Sequence, residues 1–142
     1  MIYILCFIVG GLYTLSFSPY SINILSIASI VILFLLLDLD SLKDAIIKSF
    51  LFSSGYFLVG TYWLENVINY YTDISFFITS TIIFIFITYL SSFIVIPVVA
   101  TYYLKQNLKL DKNYAFIIMS ILITFFEILR SFVFTGFSWF NF

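Results

Sequence analysis

Histidine is absent from this chain of 142 residues; cysteine occurs once, proline twice, and charged side chains make up only 9%. Without histidine there is no imidazole to serve as a base or a metal ligand. Cys6 has no partner for an internal disulfide or thiolate cluster, so no metal and no cofactor are expected. It sits between Leu5 and Phe7, where a packed thiol is expected to be inert. The shortage of charge excludes most. Soluble domains carry about 25% charged residues, and this chain has too few to cover a water-facing surface. A net charge of −1 provides no basic patch, so nucleic acid is not expected as a partner. No Lys or Arg precedes the first apolar run, no small-x-small site follows it, and no lipidation motif is visible, so a cleaved leader is not expected.

What the chain does contain is apolar sequence: 63% of its residues are hydrophobic and 23% aromatic. Met1 to Leu37 holds no charged side chain. As one helix it would reach about 55 Å, against a hydrocarbon core of about 30 Å, so it must break. Ser16-Phe17-Ser18-Pro19-Tyr20 is the break signal. The runs are continuously apolar rather than alternating, which argues against a membrane barrel and for helices that satisfy their own backbone. The expected fold is all-α: a polytopic membrane bundle of about five transmembrane helices in one domain. The spans are expected at about 2–17, 21–37, 49–64, 74–104 and 114–134, with an outer-side tail at 135–142. Asp38 to Lys48, Glu65 to Asp73 and Lys105 to Asn113 read as solvated loops. Pro97 is expected to kink the fourth span at the carbonyl of Phe93. Gly55 and Gly60 could admit a close helix neighbour, although five-residue spacing is not a GxxxG face.

Five spans would place the N-terminus, the 38–48 loop and the 105–113 loop on one side. Lys43, Lys48, Lys105, Lys109 and Lys112 all fall there, and no lysine falls in the opposite loops. Such a bias predicts a cytoplasmic N-terminus and an outer-side tail. Tyr62, Trp63, Tyr70, Tyr71 and Trp139 mark the outer boundary, and Tyr102, Tyr103 and Tyr114 the inner one. Arg130 departs from the charge pattern, in the outer half of the last span. Glu127, three residues earlier, shares its helix face. Two readings are open: an internal ion pair that lowers insertion cost, or a cation that meets a lipid phosphate with Glu127 orienting it. Glu65 reads as a span end, and Asp38, Asp40 and Asp44 as loop carboxylates interspersed with lysine.

Three stretches then form a pattern: LSFSPYSINILSIASI at 15–30, SFLFSSGYFLVGTYWLENVI at 49–68 and EILRSFVFTGFSWFNF at 127–142. In this order they resemble the amino-terminal membrane region of bacterial apolipoprotein N-acyltransferase. That family has a Ser/Ala-Phe-Ser/Ala-Pro turn, a Gly-rich helix ending in Tyr/Asn-Trp, and a Glu-x-x-Arg-Gly helix leading into Thr-Gly-Phe-Pro-Trp. Ser131 stands where the family has Gly, and Ser138 where it has Pro, which relaxes the loop's φ restriction.

The resemblance implies a multi-pass protein of the bacterial inner membrane. It implies a reaction in which a cysteine takes an acyl chain from phospholipid as a thioester and passes it to the N-terminal diacylglyceryl-cysteine of a lipoprotein. The Glu-Lys-Cys triad lies in a nitrilase-like domain of the family, and no catalytic residue maps onto this chain. The chain is therefore expected to be a fragment, inactive alone, with phospholipid as its partner and the lipoprotein substrate reached only in a complete enzyme. The residues carried over are Glu127, Arg130, Thr135, Gly136, Phe137 and Trp139, with an implied role in shaping an outer-leaflet lipid portal. The alternative is a non-catalytic membrane scaffold or lipid-binding subunit. A transporter is disfavoured by the absence of repeats and of carboxylates suited to a midplane site.

Overall fold

The computed structural model describes residues 1–72 and 74–133, and all the regular structure among them is helical. The helices are α1 Ile2–Thr14, α2 Ile24–Leu36, α3 Leu42–Gly60, α4 Leu64–Tyr71, α5 Phe76–Leu108 and α6 Lys112–Arg130. Among the described residues, α5 and α6 are long and apolar enough to cross a membrane, while α1 and α2 are apolar but shorter.

The break near Pro19 is wider than the expected tight turn. α1 stops at Thr14, and the amides of Leu15, Ser16 and Phe17 bond three residues back to Leu12, Tyr13 and Thr14. Ser16 also donates its hydroxyl to the Tyr13 carbonyl at 2.7 Å. Ile22 N–H then closes the turn onto the Leu15 carbonyl at 3.1 Å. α1 and α2 are left with 13 residues each, about 20 Å of helix.

Two expected loops are helical instead. The polar segment 38–48 becomes helix from Leu42, because Ser41 caps it and accepts from the Asp44 amide at 3.4 Å; a Ser followed three residues later by an acid is a start signal. The segment 65–73 contains α4. Its Leu64, Val67, Ile68 and Tyr71 recur at helical spacing, with Glu65, Asn66 and Asn69 between them, the pattern of an amphipathic helix. Thr79 of α5 ties α4 down by donating to Asn69 Oδ1 at 3.2 Å. α5 runs through Pro97 as far as Leu108, past the expected end at 104, and its cap, Lys109, takes a left-handed conformation. Asp111 accepts from the Asn113 amide at 3.4 Å to open α6.

α1 packs most intimately on α3, not on its sequence neighbour α2. The reason is a pair of glycines on opposite helices. A Cβ on Gly10 would lie 1.9 Å from the Phe52 carbonyl oxygen, and one on Gly55 would lie 2.1 Å from that of Phe7. Backbones meet there because neither residue carries a side chain. Gly55 thus acts in close packing as expected, with Gly10 rather than Gly60 completing the seam. α5 then covers α3, and α6 covers α5. Tyr56, Phe57, Leu90, Ile94, Val98 and Met119 form the centre of the core.

Many hydroxyls in these helices do not form a polar path. Ser49, Ser53, Thr81, Thr88, Thr101, Ser120 and Thr124 each donate to the carbonyl four residues earlier. They are satisfied within their own helix.

Candidate functional site

At one end of the molecule three connections meet. Tyr3 of α1 donates its hydroxyl to Asp44 Oδ1 at 2.8 Å, and Lys48 pairs with Asp44 at 2.8 Å. Lys105, near the end of α5, is ion-paired with Asp40 in the α2–α3 connection. The N-terminus, the 38–41 connection and the end of α5 are therefore neighbours, and the lysine-bearing segments meet with them. Hydrogen bonds from Lys48 and Tyr3 hold the Asp44 carboxyl below the usual carboxylate range. Asp44 precedes the apolar part of α3. Because its pKa is lower in the folded chain than in the unfolded one, its contribution to stability is complete above the ordinary carboxylate range and is lost as pH falls through the lowered value. Thermal unfolding in detergent is expected to show this acid-side loss, and Asp44→Asn to flatten it. An unchanged acid limb in that variant would count against the clasp.

The opposite end holds the charged pair anticipated in the last span. Arg130 donates from Nε to Glu127 Oε2 at 3.2 Å and from Nη2 to the same oxygen at 2.6 Å. Both are almost sealed, Arg130 at 1% exposure and Glu127 at 4%. The guanidinium lies over the Phe57 ring, 5.5 Å from its centroid, a cation–π contact. Oε1 of Glu127 is buried and has no hydrogen-bond partner among the described residues. Glu127 and Arg130 are thus paired with one another inside the protein.

An aromatic box adjoins this pair through Phe57. Tyr13 meets Tyr56 edge-on at 4.9 Å and Phe17 at 5.6 Å, and Tyr56 lies 4.5 Å from Phe57. Thr14 donates its hydroxyl to the Tyr56 carbonyl at 2.8 Å, joining the end of α1 to α3 beside the pair. None of Tyr13, Thr14, Tyr56 or Phe57 was singled out from the sequence. The available signal was the four-residue spacing of Tyr13 with Phe17 and of Phe52 with Tyr56, which stacks each pair on one face. Beside the box, Pro19 and Tyr20 of the first turn and Tyr62 and Trp63 after α3 line a cleft of about 520 Å³.

Thr135, Gly136, Phe137 and Trp139, with Ser138, lie outside the described residues. Cys6 is fully buried in α1, away from Glu127 along the chain. Among the described residues no three side chains of metal-binding type come together.

This buried Glu-x-x-Arg lies against Phe57 of the Gly-rich α3, and the Pro19 turn shares a cleft with the end of that same helix. Residues 9–142 match the family model described as the apolipoprotein N-acyltransferase N-terminal domain. The chain belongs to this family. Apolipoprotein N-acyltransferase of Haemophilus ducreyi is 29% identical over 139 residues, covering 98% of this chain and 26% of the relative. The apolipoprotein N-acyltransferase of Haemophilus influenzae is 27% identical over 140 residues, covering 99% of this chain and 26% of the relative. The chain thus spans about a quarter of the length of these curated relatives. No solved structure matches it. Membership of the apolipoprotein N-acyltransferase N-terminal family accords with the apolar helices α5 and α6 and with a membrane location.

Proposed function

We propose that this chain is the membrane portion of an apolipoprotein N-acyltransferase and is inactive by itself. It crosses the bacterial inner membrane five times, through α1, α2, α3, α5 and α6, with the amphipathic α4 lying at the interface. The N-terminus and the lysine-bearing end face the cytoplasm, and the segment after Arg130 faces the periplasm. Phospholipid supplies the acyl chain, and a lipoprotein's N-terminal diacylglyceryl-cysteine receives it in the complete enzyme. The family match over residues 9–142 carries this reading. The clustering of Tyr3, Asp40, Asp44 and Lys105 at one end supports the orientation, because it draws the lysine-bearing connections together.

Within this reading Glu127 and Arg130 form the base of an outer-leaflet lipid portal whose rim is Thr135, Gly136, Phe137 and Trp139. The nucleophile and base come from chain beyond this region.

One reconstitution tests activity and orientation together. In phospholipid vesicles the chain is expected to leave a diacylated lipopeptide unmodified. Grafted in place of the matching region of the Haemophilus ducreyi enzyme, it is expected to support formation of triacylated product. In cells, a Lys109→Cys variant is expected to react with an impermeant maleimide only after the cytoplasmic side is opened. Triacylation by the chain alone would refute the missing nucleophile; a folded but inactive graft would refute the functional reading. Labelling of position 109 from the periplasm would refute the orientation.

A further inference from the structure

α2 and α6 approach one another at a ring stack. Phe34 lies parallel to Phe116, with centroids 5.0 Å apart and planes 3° apart. Beyond that stack, toward the Glu127–Arg130 end, the helices enclose an apolar cleft of about 190 Å³. Ile30 and Leu33 form one wall; Ser120, Ile123 and Thr124 form the other. The hydroxyls of Ser120 and Thr124 are turned to their own helix carbonyls, those of Phe116 and Ser120. That wall therefore presents carbon, not a polar surface. Tyr13 and Ile94 form the floor and are 1% and 2% exposed, whereas Thr124 at the mouth is exposed. The cleft is a slot: sealed below, stopped at one end by the two phenylalanines, and open to the side.

The surfaces flanking the mouth indicate what it opens into. Ile27 and Val31 on α2, and Ile117 and Ile121 on α6, are all more than half exposed, and all are aliphatic. In a membrane protein such faces meet lipid, so the mouth opens into the bilayer. From the Phe116 stack to Thr124 the slot extends about 12 Å along α6, within the depth of one leaflet of a hydrocarbon core of roughly 30 Å. Tyr13, on the floor, meets Tyr56 edge-on, Tyr56 lies beside Phe57, and Arg130 lies over the Phe57 ring, so the floor of the slot leads toward the buried pair. An apolar cavity of about 150 Å³ can stay dry and take up a small hydrocarbon; this slot is larger and open to a hydrocarbon phase.

We propose that the α2–α6 slot is a binding site for one acyl chain of an outer-leaflet phospholipid. The chain's methyl end rests on the Phe34–Phe116 stack, and its glycerol end lies level with Glu127 and Arg130. The outer-leaflet assignment rests on the orientation proposed above; occupancy by a lipid chain does not depend on any acyl transfer.

The test uses the 142-residue chain in phosphatidylethanolamine–phosphatidylglycerol vesicles, doped with a phospholipid bearing a diazirine midway along one acyl chain. After illumination, adducts are mapped by mass spectrometry. Residues 30–34 and 120–124 are expected to carry roughly tenfold more adduct than the exposed α5 positions Phe84 and Ile85, the ratio set by about 1.4 kcal/mol of preference. Ser120→Phe fills the slot and is expected to reduce the cleft adducts to the α5 level while leaving the α5 adducts unchanged. Ile123→Ala widens it and is expected to keep or raise them. Slot adducts are expected to rise with the probe's share of the phospholipid, and a diacylated lipopeptide at the same mole fraction as the probe is not expected to displace it. Equal labelling of slot and α5, persistence of slot labelling in Ser120→Phe, its loss in Ile123→Ala, or displacement by the lipopeptide alone would each overturn the assignment. A graft that fails in acyl transfer while the slot still labels would overturn the enzyme reading and leave this one standing.

Discussion

Arg130→Ala is expected to destabilise the folded chain by about 3–5 kcal/mol, the range for removing one partner of a buried ion pair. The size follows from what is left behind. Glu127 is 4% exposed and already has one carboxylate oxygen without a hydrogen-bond partner. Removing the guanidinium strips the other oxygen of both bonds from Arg130. The contact of Arg130 with Phe57 goes too. The double variant Glu127→Leu with Arg130→Met is expected to recover most of the loss, because two apolar side chains do not strand a charge. Equilibrium unfolding in mixed micelles reads both. A loss under about 1 kcal/mol, the range of exposed pairs, would mean that water reaches the pair.

Gly55→Ala is expected to be nearly as damaging, by about 1–3 kcal/mol or more. Its new methyl would lie 2.1 Å from the Phe7 carbonyl oxygen, and backbone cannot rotate aside as a side chain can. α1 must move off α3, which also strains the Thr14–Tyr56 bond next to the charged pair. Gly11→Ala is the internal control. There a Cβ meets the Val59 side chain at 3.2 Å, and the better helix propensity of alanine, about 1 kcal/mol, offsets a small adjustment. Similar losses at positions 11 and 55 would show that propensity, not close approach, governs this interface.

The sequence carries much of this in local patterns and little of it in partnerships. Uninterrupted apolar runs dictate helices, and Pro19 with its serines dictates the first break, although the turn consumes more residues than the motif itself. The Glu127–Arg130 pair is legible because it lies within one helix turn. The α1–α3 seam is not: Gly10 and Gly55 are far apart in the chain, and only their meeting gives either its role. α4 was hidden by composition. Its asparagines and tyrosines read as a loop, while Leu64, Val67, Ile68 and Tyr71 already set a helical period. The start of α3 was missed for a similar reason, because charge in 38–48 drew more weight than the capping pair Ser41 and Asp44. The aromatic box needs the end of α1 and α3 together, and no single stretch displays it.

The preference of α1 for α3 also constrains how the protein is made. α1 and α2 have 13 residues each, short of the roughly 20 that a span needs. The glycine bearing surface that secures α1 is not available to it until Gly55 has left the ribosome. Under the five-span reading proposed above, the first hairpin is expected to wait near the insertion machinery, with α1 through α3 entering the bilayer as one unit rather than in turn.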